Sequence, residues 1–294
     1  MLMVLTLIAG ERGQPGFARL AEAVADAAGI ANEPIWLAPD QACDLVLDAA
    51  DPAASEEAAR AAIGSAAVDV IVQPLAERRK RLLVADLEST IIENEMLDEL
   101  AELVGLGPHI SEITRRAMNG EIDFAAALEA RVALLAGTRE CMLGKAAEQI
   151  RLTPGARQLV RTMRSGGAAT ALVSGGFTVF ARKVAAELGF DHVVANRLDL
   201  AEGRIAGTVR PPVVTAETKR QTLLRLAAKY RIPLTQTLAV GDRANDSPML
   251  TTAGRGIAFH AKPLVAAAVR SRVTHADLTA LLFAQGYRKE EIVG

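Results

Sequence analysis

The sequence predicts an α/β protein: a parallel sheet with helices on both faces, a helical cap inserted after its first core strand, and a small α+β layer ahead of both. Three observations carry this. The short apolar runs LLVA before Asp86, ATALV before Ser174 and TLAV before Gly241 alternate with helical patterns, as the strands of a parallel sheet do. Between the first two runs, residues 95 to about 150 show helical spacing and no strand signal. Residues 1–78 read strand, helix, two short strands, helix, strand, the βαββαβ order of a ferredoxin-like sandwich.

Taken in order, Val4–Ile8 is an apolar run with no Lys or Arg before it and is too short to span a bilayer, so it reads as a first strand. A helix over Phe17–Ala28, short apolar runs at Ile35–Leu37 and Asp44–Leu47, a helix over Ser55–Ile63 and a strand over Val68–Val72 complete the first layer. The charged connector AERRKR, Ala76–Arg81, places a domain boundary between residues 1–78 and 79–294. Beyond it, MLDELAELVGL, ISEITRRAM and FAAALEARVALLAG carry Leu, Ile, Val and Met at helical spacing, broken by the turn-like GLGP and NGEID. These segments are the expected cap.

A chain of 294 residues is long enough to bury a substantial core. With 33 basic and 35 acidic residues interspersed, there is no electrostatic case for nucleic acid or membrane as partner, and a small ligand is expected. Cys43 and Cys141 have no metal-like spacing, which points to a reduced, cytoplasmic chain. GTRECMLGKA, Gly137–Ala146, has six residues between its glycines, Ala after the Lys and no strand before it, so it is not a P-loop.

The polar residues at the three strand ends carry the chemistry. A buried carboxylate is costly unless paired or bound to metal. Asp86 and Glu88, two apart on an extended chain, share a face and can address one ligand. One acid can attack phosphorus while the other protonates the leaving oxygen and then activates water. A helix N-cap beside a solvated Glu is the structural alternative. In VSGGFTVF, Ser174 offers a hydroxyl, Gly175 and Gly176 allow close backbone approach, and a helix starting near Phe177 aims free N–H groups at the same place. A ligand-free turn would use the same residues. Lys219, opening a helix, is a candidate to neutralise phosphoryl oxygens. VGDRANDSPM supplies Asp242 and Asp246 with Asn245, a set suited either to a hard cation such as Mg²⁺ or to an Asx-rich turn.

In this order and spacing, Asp-x-Glu-x-Thr, Ser-Gly-Gly, Lys and Gly-Asp-x-x-Asn-Asp resemble the haloacid dehalogenase superfamily of phosphohydrolases. The strings ENEMLDELAE, AMNGEIDFAAALEARVALL, LVSGGFTVF and GIAFHAKP resemble, within it, the bacterial phosphoserine phosphatases, from about Arg81 to Tyr287. The first 78 residues resemble loosely the ACT-like regulatory domains that precede such enzymes. The resemblance implies that Asp86 is a nucleophile forming an aspartyl-phosphate. It implies Mg²⁺ held by Asp86, the backbone carbonyl of Leu87 and Asp242, with Asp246 supporting them. Ser174, Gly175 and Lys219 would hold the phosphoryl group. Glu95 would pair with a substrate ammonium and Arg131 with its carboxylate, near Met118, Phe124 and Asn245. The activity so implied is Mg²⁺-dependent hydrolysis of O-phosphoserine to serine and phosphate, the last step of serine biosynthesis, and a homodimer is compatible with it.

Two positions depart from the family pattern: Glu88 stands where Asp is expected and Arg243 where Gly is usual. Glu88 displaces the acid by one methylene, and a displacement near 1 Å can cost about 100-fold in rate. A guanidinium beside a bound cation is repelled, so Arg243 is predicted to point to solvent or to a carboxylate. Two other readings share these residues: hydrolysis or transfer on another phosphorylated metabolite, for instance by a phosphotransferase using homoserine, and a non-catalytic phospho-amino-acid sensor.

Overall fold

The computed structural model describes residues 2–10, 16–48, 52–118 and 121–294. Its first layer runs β1 (Met3–Ala9), α1 (Phe17–Ala27), β2 (Ile35–Ala38), β3 (Ala42–Leu47), α2 (Pro52–Ile63) and β4 (Val68–Pro74), the predicted βαββαβ order. The strands pair as β2–β3–β1–β4, with β1 antiparallel to both neighbours. Successive side chains of β1 point to opposite faces. Leu5 and Leu7 pack with Phe17, Ala21 and Val24 beneath the helices, whereas Ile8 joins the core of the larger layer.

The second face of this sheet is therefore buried too, and polar anchors fix its position. Asp69 of β4 accepts the backbone N–H groups of Thr274, His275 and Ala276 at 2.7, 3.0 and 2.9 Å. Asp44 of β3 takes the Thr6 hydroxyl at 2.7 Å and the Arg78 guanidinium at 2.6 Å. The charged connector is clamped as well: the Lys80 ammonium donates to the carbonyls of Glu77 and Thr235, and Arg79 lies 4.1 Å over the Tyr287 ring.

The larger layer begins with β5 (Leu82–Ala85), whose four residues are all buried. The cap helices α3 (Met96–Leu103), α4 (Gly107–Met118), α5 (Phe124–Leu134) and α6 (Cys141–Glu148) follow, then α7 (Ala156–Ser165). The chain continues through β6 (Ala169–Phe177), α8 (Thr178–Leu188), β7 (His192–Ala201), β8 (Arg204–Arg210), α9 (Ala216–Tyr230), β9 (Thr237–Gly241) and α10 (Ser247–Thr252). It closes with β10 (Arg255–Phe259), α11 (Pro263–Ala268), β11 (Ser271–Val273) and α12 (Ala280–Ala284).

These strands form one sheet in the order β11–β10–β9–β5–β6–β7–β8, parallel except for β8, which runs antiparallel to β7. The three apolar runs found in the sequence are its central strands β5, β6 and β9. Parallel central strands are buried on both faces and read as continuous apolar runs. The outer strands β7, β8, β10 and β11 were not among those runs. β7 and β8 are partly exposed and carry Arg197, Asp199, Arg204 and Arg210, which dilutes their apolar signal, and β11 has only three residues. Among the described residues no helix is long and apolar enough to cross a membrane.

Candidate active site

The carboxyl ends of β5, β6 and β9 lie side by side, so the residues that follow each strand converge. Asp86 is the first residue past β5, and its N–H still donates to the Val240 carbonyl at 3.0 Å, which locks the backbone as the side chain leaves the sheet. The chain then folds back on itself. Ser89 takes a left-handed φ of 55°, and the Leu87 carbonyl accepts the N–H groups of Ile91 and Ile92 at 2.8 and 2.9 Å. Two donors use both lone pairs of that oxygen. The Leu87 carbonyl, assigned to a metal from the sequence, here serves the backbone of this turn.

Lys219, in the first turn of α9, is 1% exposed and bridges two carboxylates, with Nζ 2.6 Å from Asp86 Oδ1 and 2.7 Å from Asp246 Oδ1. The second oxygen of Asp246 accepts the N–H groups of Asp242 and Arg243 at 3.2 and 3.1 Å. A Cβ on Gly241 would sit 2.4 Å from the Asp246 carboxyl carbon, so this seat requires glycine at the end of β9. Asp242 accepts the Thr90 hydroxyl at 3.3 Å. Oxygens of Asp86, Asp242 and Asp246 lie within 4.8 Å of one another.

Three buried carboxylates thus face one ammonium. Burial and then the Asp246 charge push the Asp86 carboxyl up, against the pull of Lys219. Burial also pushes Asp242 up to about 6; Arg243 offsets part of this, while Asp246 and Glu95 add to it. Burial opposes the Lys219 charge, but Asp246 and Asp86 outweigh it and hold the ammonium protonated. Two negative charges are left in excess. An all-oxygen set with that excess fits a hard divalent cation such as Mg²⁺, with Asp86 able to offer the second lone pair of Oδ1, the oxygen it shares with Lys219, and Asp242 oxygens that Lys219 does not hold.

On the β6 side, Ser174 is buried and its Oγ accepts the Gly176 N–H at 2.9 Å. Asn196 of β7 braces the turn, donating to the Gly175 carbonyl at 2.7 Å and accepting the Val214 N–H at 2.7 Å. The half-buried Glu88 carboxylate rests on this turn: a Cβ on Gly176 would meet both of its oxygens at 2.9 Å. Glu88 Oε1 also accepts the N–H of Met96, the first residue of α3, at 3.0 Å. Burial, then the charges of Glu95 and Asp86, push the Glu88 carboxyl up to about 8. The longer side chain is seated on a glycine and a helix N-terminus, and it holds its proton near neutral pH.

A cavity of about 50 Å³ opens over Asp86, Glu88 and Lys219. Its far wall carries Glu95, Asp98, Arg131 and Arg243. Arg243 reaches a carboxylate, as predicted, but from within the cavity wall: its guanidinium pairs with Glu95, and its Nε lies 3.5 Å from Asp242. Glu95 also accepts the Ser89 hydroxyl at 2.6 Å. Arg131 donates to the Ala127 carbonyl at 3.2 Å, and burial lowers its proton affinity, with Asp98 offsetting part of that. Asn245 lines the cavity, its Oδ1 buried and without a partner among the described residues. Met118 ends α4 and Phe124 opens α5, but their side chains lie outside the described residues.

Asn196, Thr90 and Asp98 were assigned no role from the sequence. Asn196 had a signal, a lone amide inside the apolar run VVANRL. Asp98 lies in the first turn of α3, three residues after Glu95, the extended residue that precedes the helix. One Asp98 oxygen is buried and has no hydrogen-bond partner among the described residues.

Strand-end carboxylates, a lysine bridge and a helical cap define a phosphohydrolase-like site, and residues 83–251 match the model of the haloacid dehalogenase-like hydrolases. The chain belongs to that family. A Streptomyces coelicolor phosphoserine phosphatase is 40% identical over 242 residues, covering 82% of this chain and 59% of the relative. This chain therefore spans about three-fifths of that protein's length. A Lactococcus lactis phosphoserine phosphatase is 45% identical over 203 residues, 69% of this chain and 94% of the relative. Among solved structures, a haloacid dehalogenase family hydrolase from Salmonella enterica serovar Typhi superposes with a TM-score of 0.87 at 26% identity, over 96% of this chain and 98% of the other. A phosphoserine phosphatase captured as a phospho-aspartyl intermediate analogue superposes with a TM-score of 0.66 at 35% identity, over 72% of this chain and all of the other.

Proposed function

We propose that the protein is a phosphatase that hydrolyses O-phosphoserine to serine and phosphate through an aspartyl-phosphate on Asp86, with Mg²⁺ bound by Asp86 and Asp242. The observation that carries this is the placement of two acids at one strand end, Asp86 bound to Lys219 and Glu88 seated on the Gly176 turn beside it. Lys219 holds one oxygen of Asp86 and leaves Oδ2 to attack, while Glu88 two residues on keeps its proton. Relatives named phosphoserine phosphatase, one solved as a phospho-aspartyl analogue, support the substrate.

In the first step Asp86 Oδ2 forms a bond to phosphorus and the bond from phosphorus to the serine oxygen breaks. The electron pair leaves with that oxygen, which takes the proton of Glu88. In the second step the Glu88 carboxylate accepts a proton from water, the water oxygen bonds to phosphorus, and the Asp86–phosphorus bond breaks to free phosphate. Ser174, the Gly175 backbone and Lys219 hold the phosphoryl oxygens, and Asp246 positions Lys219. Mg²⁺, which Asp86 and Asp242 would hold, would supply positive charge to offset that of the phosphoryl oxygens. Arg131, on the far wall, faces the substrate carboxylate. All of these residues lie beyond residue 78, which supports assigning the chemistry to residues 79–294 and a separate, regulatory role to the ACT-like layer of residues 1–78.

The deciding experiment is phosphate release from O-phosphoserine with Mg²⁺ and with chelator. Mg²⁺-dependent release is expected. No release with Mg²⁺ present would favour a non-catalytic sensor, and release from homoserine phosphate at a higher rate would shift the substrate.

A further inference from the structure

The far wall of the cavity holds two carboxylates and two guanidiniums, Glu95, Asp98, Arg131 and Arg243, whose formal charges cancel. They are not equally available. Both donors to Glu95, the Arg243 guanidinium and the Ser89 hydroxyl, reach the same oxygen, Oε1. An arginine does not lose its charge at any working pH. Glu95 Oε2 and a buried Asp98 oxygen that has no partner among the described residues could still take an ammonium, but it would have to settle there within the field of the Arg243 guanidinium, against like-charge repulsion. A carboxylate can instead be met by the Arg131 guanidinium, which among the described residues donates only from Nε, to the Ala127 carbonyl. Without the Arg243 charge, the same wall would carry one net negative charge and would select for an ammonium.

We propose that Arg243 is a specificity-determining residue: by occupying Glu95 it makes the pocket read the phosphate and the carboxylate of its substrate and nearly ignore the ammonium. The substrate class is then the phosphate monoesters of hydroxycarboxylic acids, of which O-phosphoserine is one member and its des-amino analogue, 3-phosphooxypropanoate, another. This inference rests on the phosphoserine reading above and extends it.

The test compares kcat/KM for O-phosphoserine and 3-phosphooxypropanoate, both with Mg²⁺, in the parent and in Arg243→Ala. A charge-assisted contact to an ammonium is worth at least about 1.4 kcal/mol, or roughly tenfold. The parent should prefer O-phosphoserine by less than about tenfold, and the preference should rise by at least about fivefold in Arg243→Ala, chiefly through KM. A parental preference above that level, or a smaller rise in the variant, overturns the proposal while leaving phosphoserine hydrolysis intact. Failure of the parent to release phosphate from either ester overturns both. The parental ratio needs no substitution, so the proposal stays refutable even if the variant misfolds.

Discussion

The two ends of the cavity are built from the same residue types and held in opposite ways. At the phosphoryl end Lys219 and Asp246 are 1% and 0% exposed, and every partner is fixed by the sheet or by a backbone N–H. At the far end Arg243 and Glu95 are 36% and 27% exposed, and their ion pair joins a loop of the core to the first turn of the cap. Removing one partner of a buried pair strands a charge, whereas an exposed pair exchanges partners at little cost. The difference separates chemistry from recognition: the reacting acids are fixed, and the groups that face the rest of the substrate are exposed enough to exchange partners.

The largest effect should come from breaking the fixed end at its centre. Asp86→Asn removes the nucleophile while keeping its shape, and turnover should fall on the order of 10⁶-fold, as for other covalent catalysts stripped of theirs. Near-parental unfolding curves are expected, because Lys219 keeps Asp246. Retained turnover would remove the aspartyl-phosphate route. Glu88→Gln should lower the rate by about 10²- to 10⁴-fold in both formation and breakdown of the intermediate. Hydrolysis at the parental rate would show that water, and not Glu88, carries the proton.

Lys219→Met sharpens the same contrast through stability. It leaves Asp86 and Asp246 buried without their shared cation, at a cost of about 3–5 kcal/mol in denaturant unfolding without Mg²⁺. Saturating Mg²⁺ should recover part of that loss, since a cation restores the charge balance. An unchanged midpoint would mean that the two carboxylates protonate freely and that the fixed end is less constrained than its burial implies.

How much of this was legible in the sequence follows the same division. Central strands are buried on both faces, so LLVA, ATALV and TLAV stood out, and the residues that follow each of them, from Asp86 to Asp246, were placed by counting. The β7–β8 hairpin is partly exposed and its short apolar run, VVANRL, soon gives way to charged residues, so the brace from Asn196 was missed. The turn bonds of the Leu87 carbonyl were not legible, because the acceptors of a tight turn are set by backbone torsions such as the φ of Ser89, which residue types do not encode. Likewise, nothing in the spacing of Glu95 and Arg243, 148 residues apart, showed that they pair.

The smallest expected effect, and the one that probes the adjustable end directly, is Arg131→Lys. Arg131 spends Nε on the Ala127 carbonyl, so its terminal nitrogens are the groups that can fork onto a substrate carboxylate. Lysine keeps the charge but offers a point donor, losing one charge-assisted bond worth about 1.5 kcal/mol. KM for O-phosphoserine should therefore rise by about tenfold, with kcat changed much less. Phosphoethanolamine, which lacks the carboxylate, supplies the control: its KM should move little. A shift shared equally by the two esters would mean that Arg131 holds the cap in place through Ala127 and Asp98 and reads no carboxylate. A shift confined to O-phosphoserine would place recognition on a residue of the cap, separate from the buried charges that do the chemistry.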